Sequence, residues 1–138
     1  CIFDDDDYFS PSIIQNQLKY CIDNKLEACA LNTIMIFSEK RGEVRVSFNR
    51  PVGWEGSLLV RTDIMPKYSN LPSGEDTPVL HHLLGSNEMD TFFDPELYVY
   101  YLHDSNISGT RHKERLFENS LELSIEKNRE IKKLLGWV

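Results

Sequence analysis

The chain has 138 residues, 41% of them apolar, and 22 Asp and Glu outnumber 15 Lys and Arg for a formal net charge of −7. That length suits one domain able to bury a core without staples, and the 11% aromatic share argues against wholesale disorder. The acidity argues against nucleic acid as the default partner, since such binding depends on basic groups that neutralise phosphates, and no apolar run approaches the ~18 residues of a membrane span.

Residues 1–9 read as an acidic N-terminal arm. Asp4, Asp5, Asp6 and Asp7 repel one another between Phe3 and Tyr8, and their spacing is not the alternating one of a calcium loop. Ser10-Pro11 then opens a helix, in which Ile14, Leu18, Cys21 and Ile22 fall on one stripe. Residues 28–37 are apolar at almost every position, which suits a strand buried on both faces, with a continued helix as the alternative. Lys40-Arg41-Gly42 reads as a hairpin loop, and Val44, Val46 and Phe48 alternate with polar residues in the cleanest strand of the chain. A turn with Pro51, Gly53 and Gly56 leads to a third strand through Leu58, Val60, Thr62 and Ile64. Residues 28–65 are thus expected to form an antiparallel three-stranded meander.

Residues 66–94 are the least regular part, with a short helix between Thr77-Pro78 and Gly85. Long irregular stretches are often functional, so this loop is the first place to expect a binding surface. Tyr98-Val99-Tyr100-Tyr101 favours a strand over a helix at 95–103. Between 111 and 124 helix and strand compete. A C-terminal helix follows from about Ser124 to Leu135, stopped by Gly136. The predicted fold is α+β, an antiparallel sheet of about four strands with an N-terminal and a C-terminal helix, as a single domain over residues 10–138.

Motifs for chemistry are scarce. His81, His82, His103 and His112 lack metal-ligand spacing, so no metal and no cofactor are expected. There is no G-x-S-x-G and no phosphate loop. Gly53-Trp54-Glu55-Gly56 shares the Gly-x-x-Gly spacing of some RNA-binding loops, but Glu55 disfavours phosphate. The acidic pairs Glu75-Asp76 and Glu88 with Asp90, and the basic stretches around Arg111 and Lys132, read as solvated surface. Cys1, Cys21 and Cys29 do not make a disulfide framework, and Cys21 and Cys29 read as reduced core residues. Because Cys1 rather than Met stands first, the chain reads as a fragment or processed product, and a mature terminal Cys also occurs in lipoproteins whose signal has been removed. No secretory signal is visible, and the expected location is intracellular, in cytoplasm or nucleus.

The order of helix, strands, proline-bearing loop, strand and helix resembles that of ubiquitin-conjugating-enzyme-like folds. Pro66-Lys67-Tyr68 through Pro72 and Pro78 is similar to the Tyr- and Pro-rich segment of that group. No cysteine follows it, so the resemblance implies protein binding and not conjugation. Leu97-x-Val99-x-Tyr101-Leu102-x-Asp104, with His81-His82 upstream, is similar to part of the DNA-binding domain of tumour-suppressor transcription factors, without the cysteines that would complete a zinc site.

With no catalytic constellation, the leading expectation is a non-catalytic protein-interaction module or accessory subunit whose partner is another protein. Trp54, Tyr68, Phe92 and Phe93 are the expected contacts, since aromatic residues dominate interface energetics. The alternatives are a small enzyme with a site built from His81, His82, His103 and Asp104, and an acidic inhibitor or immunity-type protein.

Overall fold

In a computed structural model of the protein, residues 3–68, 76–103 and 110–137 are described, with 110–113 described by backbone alone. The elements begin with β1 (Tyr8–Phe9), α1 (Ile13–Asn24), β2 (Ala28–Thr33), β3 (Met35–Ser38), β4 (Glu43–Val46) and β5 (Leu59–Val60). They continue with α2 (Asp76–Gly85), β6 (Met89–Phe93), β7 (Tyr98–Leu102), α3 (Thr110–Glu118), β8 (Leu121–Glu122) and α4 (Ile125–Leu134). Short 3-10 turns stand at Glu55–Ser57 and Pro95–Leu97.

The apolar run at 28–37 is strand, as its two-sided burial requires. It is shared between two sheets. β2 sits in a three-stranded sheet of order β5-β2-β6, and β3 in a five-stranded sheet of order β1-β7-β3-β4-β8. A second run, β6 followed by β7, divides in the same way and lies parallel to the first, with Ala28 opposite Met89 and Met35 opposite Val99. Seven steps along one run therefore match ten along the other. The turn at Pro95–Leu97 absorbs the difference, together with the extra residue that a bulge between Leu31 and Thr33 places on the first run.

The fold is mixed α and β with helices near both ends, but its sheets are mixed rather than antiparallel. The expected meander does not form. β3 and β4 make an antiparallel hairpin around Gly42, whose φ is +60°. β5 instead joins the other sheet against β2. The element order that resembles ubiquitin-conjugating-enzyme-like folds therefore does not carry their sheet. Alternation along a strand shows which face is wet, not which strand is its neighbour.

Each sheet is covered on both faces. Ala28, Ala30 and Met89 pack with Leu80 and Leu83 of α2, while the Cys29 thiol on the opposite face donates to Gln17 O of α1. In the larger sheet Met35, Phe37, Val44 and Val99 pack with Ile131 of α4. Ile34, Ile36 and Tyr98 pack with Leu116 and Phe117 of α3, in a cluster that also reaches Leu31 and Ile13.

α4 begins where expected, its Ser124 hydroxyl accepting from Lys127 N. Residues 111–124 resolve into all but the first residue of α3 and then β8, with Asn119 and Ser120 in the turn between. α1 departs from expectation. Ile13, Gln17 and Cys21 face inward, while Ile14, Leu18 and Ile22 are exposed, Ile22 by 73%. The rotation lets the Gln17 amide donate to Ser57 O, a buried carbonyl that no aliphatic side chain can satisfy. The helix ends on Lys25 at φ +56°, with Leu26 N donating to Cys21 O.

Gly53 combines φ +84° with a position where a Cβ would stand 2.7 Å from Ala30 Cβ. Gly53→Ala therefore meets both backbone strain and overpacking against β2, and is expected to cost about 2–4 kcal/mol in urea denaturation. A loss below ~0.5 kcal/mol, within the range of ordinary surface substitutions, would show that the loop is free to move off the sheet.

Candidate functional site

Four strands stand at sheet edges. β1, β5 and β8 each have two residues, whereas β6 has five. Among the described residues β6 pairs with β2 alone, so one long side of it lacks a strand neighbour. Such an edge presents a row of backbone N–H and C=O groups, and at its centre Thr91 N donates to Asp90 Oδ1 at 2.7 Å.

The side chains along β6 give this edge its character. Met89 is buried beneath α2. Phe92 lies against Tyr20 of α1, the rings stacked with centroids 4.5 Å apart. The Tyr20 hydroxyl donates to Asp90 Oδ2 at 3.2 Å and, more weakly, to Thr91 O at 3.4 Å. Burial, and then the Asp90 charge, raise the Tyr20 pKa above its ordinary value, so the hydroxyl stays a donor. Phe93 ends the strand 68% exposed. Glu88, Asp90 and Asp94 line or flank it, and residues 88–94 contain no Lys or Arg. Burial raises the Asp94 carboxyl above the usual range, with the Glu96 charge adding to the rise.

Of the four expected contacts, the structure brings Phe92 and Phe93 together on β6 and places the other two elsewhere. Trp54 is only 8% exposed, in the core cluster with Leu31 and Ile34. The Arg50 guanidinium lies 4.7 Å from the Trp54 ring centroid and pairs with both Glu55 oxygens at 2.7 and 2.9 Å. Arg50 and Thr77 bonds hold the Glu55 carboxyl below its ordinary value, against the opposing effect of burial. Gly56 leaves room for the Tyr98 hydroxyl, which a Cβ would meet at 2.5 Å. The Gly-x-x-Gly spacing is thus accounted for by packing. Tyr68 is exposed just before the residues left undescribed.

Among the described residues the histidines do not gather. His81 and His82 are exposed on α2, over the smaller sheet. His103 follows β7 of the larger sheet, its Nε2 2.9 Å from Asp6 Oδ2. Asp104 lies outside the described residues, and so does the side chain of His112. Among the described residues no group of three His, Cys, Asp or Glu could hold a metal ion. No helix among them is long and apolar enough to cross a membrane.

The acidic arm is held more closely than a loose segment. β1 pairs with β7, and Asp7 accepts from Tyr98 O–H at 2.6 Å and from Tyr101 N–H at 2.8 Å. Sequence reasoning missed this seat. It also missed Tyr20 as the wall beside β6, because both depend on partners 70 or more residues away. The alternation of Phe92 and Phe93 was the only local signal, since on a strand adjacent residues point to opposite faces.

Burial pushes the Asp7 carboxyl up to about 6 from its ordinary 3.8, against the two hydrogen bonds and with help from the Asp6 and Asp4 charges. Between those values the folded state binds the proton and the unfolded state does not, so stability falls as pH rises. From pH 4 to pH 7 the protein is expected to lose on the order of 2 kcal/mol that the Asp7→Asn protein retains, after allowance for solvent screening. Urea midpoints at the two pH values measure this, and parallel losses in both proteins would remove Asp7 from the account.

Compared with protein-family models, with curated proteins and with solved structures, the chain matches none.

Proposed function

We propose that the domain is a non-catalytic protein-interaction module that binds an extended segment of a partner protein along β6. The observation that carries this reading is a five-residue strand edge without a neighbour among the described residues, ending in an exposed Phe93. A segment laid beside β6 gains main-chain hydrogen bonds once the Asp90 and Tyr20 side chains release Thr91 N and Thr91 O. Its alternate side chains meet the Tyr20–Phe92 stack on one face. The carboxylates of Glu88, Asp90 and Asp94 favour Lys or Arg at the segment's polar positions.

The same acidity supports a narrower version, in which the domain blocks a basic partner as an inhibitor or immunity-type protein does. Strong weakening of the association by salt favours that version. The enzyme reading loses support from the separation of His81 and His82 from His103.

Selection from a library of displayed extended peptides tests the proposal. Enriched sequences are expected to carry an apolar residue and a Lys or Arg two positions apart, on the face that meets Phe92 and Asp90, and to perturb the amides of residues 89–93. Phe93→Lys is expected to weaken them at least ~10-fold, about 1.4 kcal/mol, without unfolding the domain. Enriched peptides that bind the Phe93→Lys protein equally well, or a library that yields no binder, would overturn it.

A further inference from the structure

We infer that Cys21 and Cys29 form an oxidisable dithiol, which a small disulfide oxidant converts to an intramolecular bond tying α1 to β2. Cys21 lies on the inward face of α1 and Cys29 on the α1 face of β2, and both are buried. The Cys29 Sγ stands 3.6 Å from Gln17 O, one helical turn before Cys21. Within the helix Gln17 O also lies over the amide of Cys21, so the acceptor of the Cys29 thiol adjoins the Cys21 backbone. The reversal at Lys25 brings this about, because α1 ends there and the chain returns beneath it as β2.

The chemistry is a two-electron exchange. One thiol, as its thiolate, attacks the oxidant disulfide and releases one small thiol. The second thiolate attacks the mixed disulfide so formed and releases the other, and each cysteine has then given up its proton. Cys29 is fully buried and Cys21 is 7% exposed, so Cys21 is the sulfur attacked or attacking first. Burial pushes both thiols above their ordinary range, which keeps thiolate scarce and makes the rate depend on local opening of α1. Tyr20 adjoins Cys21, so the bond would also fix the wall beside β6. That consequence, unlike the bond itself, rests on the proposed function.

The test uses the full chain carrying Cys1→Ser, reduced and then incubated in its native state with oxidised glutathione. After acid quench, unfolding and alkylation, the expected product lacks two hydrogens and takes up no alkylating agent. A peptide map joins the Cys21 and Cys29 fragments, and the melting temperature rises by about 5 °C. Cys21→Ala and Cys29→Ala each abolish the product. The inference is overturned if both thiols stay alkylatable after prolonged incubation, or if the oxidised protein melts below the reduced one. The mass readout needs no partner, so its failure is distinct from failure of the β6 reading.

Discussion

The fold depends on two chain segments lying side by side in parallel through both sheets. Parallel neighbours cannot be joined by a tight turn, so the connection from β3 to β6 must be long. The chain uses that connection to build outward. β4 returns beside β3 in the larger sheet, β5 crosses to the far side of β2, and α2 covers the smaller sheet. When the chain comes back as β6, one side of β2 is already taken by β5. β6 fills the other side and becomes an edge. The open edge thus follows from how the parallel pair is connected, not from any local feature of the strand.

The same economy governs the acidic arm. Four adjacent carboxylates cannot all be buried, and only Asp7 is drawn in, beneath the Tyr98 hydroxyl and the Tyr101 amide. Tyr98 in turn is stacked on Phe9, with ring centroids 4.7 Å apart, and sits in the space left by Gly56. A buried carboxylate costs free energy when ionised. That cost is offset by pairing β1 to β7 and by closing one face of the larger sheet.

Much of this was legible locally and little of it globally. The alternation at Val44 and Val46, the Gly42 hairpin and the Ser124 cap all follow from rules that act within a few residues, and they reappear in β4, its turn and α4. The partner of β5 did not follow, since its alternation is equally compatible with either sheet. Nor did the rotation of α1, where an aliphatic stripe and the row of Ile13, Gln17 and Cys21 lie next to each other on the helix. Periodicity selects the more apolar row, but the buried Ser57 carbonyl requires an amide. Phe93 was legible as half of an aromatic pair, whereas the open edge that gives it meaning was not.

Two apolar surfaces therefore flank α1, and they differ in kind. Ile14, Leu18 and Ile22 form an exposed stripe that continues toward Leu59, whose register opposite Cys29 places it on the α1 face of β5. Such a stripe offers area without direction, and many partners or none would satisfy it. On the other flank, Tyr20 and Phe92 border a strand whose backbone groups fix the orientation and spacing of whatever pairs with it. Recognition requires a difference in affinity between partners. In the proposed interaction, directional hydrogen bonds, side-chain contacts and a row of carboxylates would supply that difference at β6, and the stripe has no equivalent.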